Sequence, residues 1–293
     1  MTTGPEGGAY HEFGKRYREI FARAGIDLRL APSAGGVENL RRLRDARSGV
    51  HVGFEQGGTT SDRESPGLAS LGTISYEPLW FFYRGANPGR KLEGLRGKRI
   101  SIGPEGSGTR MLATELLSRN GIEAGIAEFL SLSPQEAGER LLVGRLEAAM
   151  MVAAWDSPVV RRLIASDRVE LASFNRADAL IALYPYLNKL VVPAGVGEMG
   201  KDRPPVDVTV LAPATSLVVR TDLHPAIQSL LLDAATEVHS GPGIFQKAGR
   251  FPAAEAVDLP LSGPAQRDYK SGRPFLQRYF PLWVAAIVQQ ILV

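Results

Sequence analysis

Apolar residues recur at helical spacing in seven stretches of the chain. Gly8–Ala24, Val37–Ala46, Ser107–Asn120, Pro134–Val143, Val159–Ala165, Arg176–Leu183 and Leu223–His239 are therefore predicted helices. Between them, Ile26–Ala31, Val50–Phe54, Lys98–Ile102, Ala127–Leu130, Ala148–Ala153 and Leu187–Val192 are short apolar runs of the strand type. Two longer runs stand apart: Thr73–Arg84 reads as one strand in spite of Pro78, and the β-branched stretch Val206–Arg220 as another. Gly243–Ala248 reads as a short closing helix. This alternation predicts an α/β protein.

The two long runs divide the chain. Residues 1–84 with 207–293 are expected to form one lobe and 85–206 a second, with the long strands crossing between them as a hinge. The polar, glycine-rich Gly85–Gly97 and the Gly/Pro-rich Pro193–Pro205 are loops of the second lobe. A chain of 293 residues is long for a single core and comfortable for two lobes.

A repeat supports the two-lobe reading. Gly4-Pro5-Glu6-Gly7 returns as Gly103-Pro104-Glu105-Gly106, and each copy opens a helix that ends in a Gly-Ile pair, Gly25-Ile26 and Gly121-Ile122. Leu43 and Leu142, and Val52 and Met151, keep the same offset as the glycines. A glycine-rich turn feeding a helix leaves backbone N–H groups unpaired, and the helix dipole adds partial positive charge there. Two such starts are expected to face one small anion.

Within the second start, Ser107 is the predicted N-cap, Gly108 and Thr109 open the helix, and Arg110 sits in its first turn. A cation there opposes the dipole, which an anion held between guanidinium and amides would explain. The alternative is that Arg110 pairs with Glu105 or Glu6 while Ser107 only caps its own helix. In the first lobe, Tyr10 near the helix start and Gln56 in the loop Glu55-Gln56-Gly57-Gly58 are candidate ligand groups. Gly103 and Gly108 have the spacing of a nucleotide-triphosphate loop, but Thr109-Arg110 stand where lysine is required. Ser107 lacks the G-x-S-x-G frame of a hydrolase nucleophile.

Composition narrows the classes. With 22% charged residues and a net charge of +3, the chain lacks the basic blocks of a nucleic-acid binder. It has no cysteine, which removes thiol catalysis, disulfides and thiolate metal sites. His11, His51, His224 and His239 are scattered without ligand spacing, so they read as surface histidines, and neither metal nor cofactor is expected.

Four segments in order carry a family resemblance: Thr3–Tyr10, Phe54–Gly58, Gly103–Arg110 and Tyr184–Pro193. Together they resemble the TAXI proteins, solute receptors of TRAP transporters, over nearly the whole chain. The resemblance implies a two-lobe type II periplasmic-binding-protein fold and a non-enzymatic, extracytoplasmic receptor. Such a receptor closes on a small carboxylate such as glutamate or 2-oxoglutarate and delivers it to TRAP membrane subunits. Carried over by motif, Gly7, Gly8, Tyr10, Gln56 and Gly57 line the first lobe's side of the site, and Ser107, Gly108, Thr109 and Arg110 the second's.

The chain departs from that pattern at Trp155-Asp156-Ser157-Pro158, where relatives commonly carry a glycine before the proline, and at Val196, near which a tyrosine is frequent. Trp155 joins the expected ligand contacts, and Asp156 would repel a second carboxylate on the solute. A rival reading is an enzyme on the same scaffold, for which only Asp156 and Glu77 offer acid–base candidates. A regulator's sensing domain shares the architecture, but no helix-turn-helix segment is present. Neither end of the sequence reads as natural, since Met1 leads directly into the first glycine loop with no room for a leader and the chain stops inside an apolar stretch. The apolar tail from Phe280 is expected to be the start of a membrane anchor, or else an amphipathic helix with Trp283, Ile287 and Ile291 packed on a lobe. Family members in which a membrane span follows resemble this chain at Phe275–Val293, which favours the anchor.

Overall fold

Helix and strand alternate from the amino end in a computed structural model that describes residues 1–89 and 92–272. The first elements are α1 (Ala9–Arg23), α2 (Gly36–Arg44), β1 (Val52–Gln56), β2 (Leu68–Tyr76) and β3 (Leu79–Tyr83). There follow β4 (Arg99–Ser101), α3 (Gly108–Arg119), β5 (Glu128–Leu130), α4 (Pro134–Leu142), β6 (Ala148–Val152) and α5 (Pro158–Ile164). The series closes with β7 (Glu170–Leu171), α6 (Ala177–Leu183), β8 (Leu187–Val192), β9 (Val208–Arg220), α7 (Pro225–His239) and α8 (Gly263–Ser271).

The chain divides into two units, one of Met1–Ser75 with the residues from Thr215 onward, the other of Tyr76–Ala214. Both boundaries fall inside long strands, several residues from the expected ones. The expected continuous strand Thr73–Arg84 is broken between β2 and β3 at Glu77-Pro78, where proline has no N–H to continue the ladder. Glu77 N donates instead to Pro213 O at 3.1 Å, and Pro78 O accepts from Ala153 N at 3.3 Å. Leu79–Tyr83 then pair antiparallel with Ala148–Val152, which places them in the second unit.

In the first unit β1 runs antiparallel to the later half of β9, from Val52 opposite Val219 to Gln56 opposite Thr215. Thr2 forms parallel bridges to both Gly53 and Ala31. The expected strand Ile26–Ala31 is thus reduced to one bridge, as only its last residue reaches a neighbour. Tyr17 and Phe21 from α1, Phe54 from β1, Leu217 and Val219 from β9 and Leu231 from α7 form the core. One expectation fails near the end of this unit, and one helix there was not foreseen. Gly243–Ala248 is a turn, in which Gln246 Nε2 donates to His239 O at 3.0 Å and Gly241 O at 2.8 Å and so closes the end of α7. The polar stretch Gly263–Ser271 is helical; it is capped by Ser262 and fastened by a hydrogen bond from Tyr269 Oη to Leu71 O at 2.9 Å.

In the second unit β4 lies between β5 and β6, all parallel. β3 adds antiparallel to β6, and the early half of β9 pairs with β8. Phe81, Ile100, Leu112, Leu116, Met150 and Leu211 are core residues here. The tail Phe275–Val293 lies outside the described residues, among which no helix is long and apolar enough to cross a membrane.

Three histidines are at least partly exposed, but His239 is buried against the edges of Phe13 and Tyr17, at centroid distances of 4.6 and 5.8 Å. Burial, helped by the charge of Arg16, pushes its pKa down to about 3. An unfolded histidine titrates near 6.5, so from there down to about pH 3 the unfolded chain holds a proton that the native chain lacks. Stability must fall with pH across that window. His239→Phe is expected to remove roughly 2 kcal/mol of the stability lost between pH 7 and pH 5, at about 1.4 kcal/mol per unit. Urea denaturation of both proteins at both pH values measures this, and equal losses would refute it.

Candidate functional site

Three parallel segments of the first unit end side by side. Thr2 N donates to Val52 O at 2.8 Å, Ala31 N to Met1 O at 2.9 Å and Thr3 N to Ala31 O at 3.1 Å. The chain therefore leaves this sheet together at Thr3-Gly4, at Pro32-Ser33 and at Gln56-Gly57, and carboxyl ends of parallel strands are where α/β proteins gather ligand groups. Gly8 N donates to Pro5 O at 2.9 Å to close the turn into α1, and Gly7 takes a φ of +77°. Gly8 caps without a side chain, and the amide of Ala9 has no acceptor among the described residues. Tyr10 is turned mostly inward, its ring 5.2 Å from that of Phe54 and its hydroxyl 3.5 Å from Thr215 Oγ1.

Asn39 on α2 fastens these ends. Its Oδ1 accepts from Thr2 Oγ1 at 2.6 Å and Ser33 Oγ at 2.7 Å, while Nδ2 donates to Thr3 O at 2.5 Å and Phe54 O at 2.8 Å. Every hydrogen-bonding position of the fully buried amide is used. Gly36 lets the start of α2 reach β1, since a Cβ there would stand 3.0 Å from Gln56 N. Neither Asn39 nor the Ser33–Gly36 turn was among the residues expected from sequence; the small-residue run Pro32–Gly36 ahead of a helix was the available signal.

Below the Gln56–Gly58 loop two carboxyls meet. Asp258 accepts the Gly58 amide at 2.5 Å, and Thr59 Oγ1 donates to Glu55 Oε1 at 2.9 Å. Burial, the nearby Asp258 charge and the hydrogen bond between the carboxyls hold the Glu55 pKa well above its ordinary value. A proton on Glu55 that bonds Asp258 lets the two groups coexist.

The second unit repeats the arrangement. Ser107 N donates to Pro104 O at 3.2 Å, Gly106 takes a φ of +72°, and α3 ends through Ile122 N donating to Leu117 O, as α1 ends through Ile26 N to Phe21 O. Gly103 at φ +89° is obligatory, because a Cβ would lie 2.8 Å from Thr109 Cβ. Ser107 Oγ accepts from Arg110 N at 3.2 Å, and Thr109 Oγ1 accepts from Val152 N at 3.0 Å, so both hydroxyls hold the loop. The Thr109 amide has no acceptor among the described residues. Arg110 Nη1 donates to Ser131 Oγ at 2.7 Å and Gly103 O at 3.4 Å, and Nη2 meets Glu105 Oε1 at 2.8 Å. The guanidinium thus rests on its own glycine loop and on the turn after β5. Trp155, after β6, lies under the Arg161 guanidinium at 4.6 Å and beside Trp80 at 5.9 Å.

The expected residues fall into two groups at corresponding places, Gly7, Gly8, Tyr10, Gln56 and Gly57 in the first unit and Ser107–Arg110 with Trp155 in the second. A sequence model for the NMT1-like family matches residues 1–271. The chain belongs to the NMT1-like family. Among solved structures it is similar to a protein from Bordetella bronchiseptica RB50, with 17% identity, 80% of this chain and 70% of that one covered, and a TM-score of 0.52. It is also similar to the BenM effector-binding domain solved with its effector benzoate, at 12% identity, 84% and 94% coverage and a TM-score of 0.50. The periplasmic aliphatic sulphonate binding protein SsuA from Escherichia coli matches at 12% identity, 82% and 72% coverage and a TM-score of 0.48. This NMT1-like chain has the two-lobe α/β fold of type II periplasmic binding proteins. Among its described residues no cluster of three or more His, Asp or Glu suited to a metal occurs.

Proposed function

We propose that this NMT1-like protein is an extracytoplasmic solute receptor that closes around a small organic anion, a carboxylate, and delivers it to a TRAP-type membrane transporter. The observation that carries this reading is the doubled strand-end cluster. Each unit offers a glycine-rich helix start with an amide that has no acceptor among the described residues, and the second adds Arg110. A receptor of this kind closes because the hydrogen bonds that only its closed form makes favour that form. The TRAP partner and the carboxylate rest on the motif resemblance.

An enzyme needs an acid–base pair open to substrate. The buried carboxyl pair Glu55 and Asp258 is engaged in holding a loop. A thermal-shift screen over carboxylates, sulfonates, amino acids, phosphates and sugars tests the receptor reading. A solute present at 100 times its Kd should add about 2.7 kcal/mol without being consumed. Stabilisation by neutral sugars alone, or turnover of the hit, would overturn it.

A further inference from the structure

The second unit contains a cavity of ≈ 200 Å³ away from its strand ends. Phe81 of β3, Leu116 of α3, Phe174, and Leu180 and Leu183 of α6 line it. The first three belong to the core of the unit, whereas Leu183 is 64% exposed, so the cavity runs from solvent down to core side chains. Arg119 and Arg176 also line it, and no acidic residue does among those described. Arg119 is oriented through Nε, which donates to Glu115 Oε1 at 2.9 Å and Tyr184 Oη at 2.7 Å. The Arg176 side chain has no hydrogen bond or acidic partner among the described residues, although its neighbour Phe174 is buried. Asn120, Ser173 and Asn175 complete a polar, cationic rim. Arg119 is the last residue of α3, roughly 17 Å along the helix from Gly108, so this cavity is separate from the Ser107–Arg110 loop.

We propose that the cavity binds a small amphipathic anion, a short unbranched apolar chain with one carboxylate head. The chain lies against Phe81, Leu116, Phe174 and Leu180, and the head rests between Arg119 and Arg176. The apolar walls reward each buried methylene, and the two rim cations, Arg176 without an acidic partner among the described residues and Arg119 with its Nη groups left beyond its bond to Glu115, select the negative head. The cavity is smaller than a drug-sized pocket, which fits a short chain.

Calorimetric titration of the full chain with butanoate, hexanoate, octanoate and neutral 1-octanol tests this. Affinity is expected to rise about fourfold per added methylene until the cavity is filled. Arg176→Gln should weaken octanoate about tenfold and leave 1-octanol unchanged. Leu183→Glu, at an exposed position that folding tolerates, should weaken octanoate at least as much. Arg110→Ala should leave octanoate binding intact, which separates this cavity from the proposed solute site. Absence of octanoate binding, equal affinity for butanoate and octanoate, wild-type affinity in both cavity variants, or loss of octanoate in Arg110→Ala would each overturn the proposal.

Discussion

Asn39→Ala is expected to destabilise the first unit by about 3–5 kcal/mol. The substitution removes four hydrogen bonds from a fully buried amide. It leaves Thr3 O and Phe54 O without that donor; a buried group left unsatisfied costs roughly 1–3 kcal/mol, and each lost bond about 0.5–1.5 kcal/mol. The Thr2 and Ser33 hydroxyls can turn to other acceptors, so the full sum is not reached. Asn39→Asp keeps the acceptor but turns a carboxylate oxygen toward two carbonyls, and should be no better tolerated. Urea denaturation of the three proteins measures the effect. A loss below about 1 kcal/mol for the alanine variant would show that Asn39 does not hold the strand ends.

Arg110→Ala is expected to weaken binding of the proposed solute on the order of 100-fold, since hydrogen bonds to a charged group contribute about 1.5–3 kcal/mol. Stability should change by less than about 1 kcal/mol, because the Arg110 and Glu105 side chains are 28% and 75% exposed and such pairs contribute little. Glu105 presents its carboxylate to the guanidinium that the solute would use. Glu105→Gln should therefore raise solute affinity several-fold. Calorimetry with the best hit from the thermal-shift screen reads both variants, and wild-type affinity in Arg110→Ala would remove this residue from the site.

Much of the fold was legible because local rules set it. The Gly-Pro-Glu-Gly repeat marks two turns that glycine alone makes easily, and in the structure both copies open helices that close through the same Gly-Ile ending. Leu187–Val192 forms the strand its apolar pattern predicts. The failures occur where distant residues override the local pattern. Gly243–Ala248 looks helical, yet Gln246 turns back onto α7, and the polar Gly263–Ser271, for which no element was expected, is a helix that Tyr269 anchors to Leu71. Histidine spacing could not show that α1 would enclose His239.

The candidate site divides in the same way. Sequence alone located the helix starts at Gly7–Tyr10 and Ser107–Arg110, because glycine conformation and capping are properties of adjacent residues. It could not show that Asn39 joins Thr3, Ser33 and Phe54, that Asp258 holds the Gln56–Gly58 loop, or that Ser131 supports Arg110. A lone asparagine in an amphipathic helix, or an aspartate 200 residues from its partner loop, leaves no periodic trace. Such contacts arise only after the hydrophobic core has brought separated strands together, when a buried polar group must find whichever partner lies within reach.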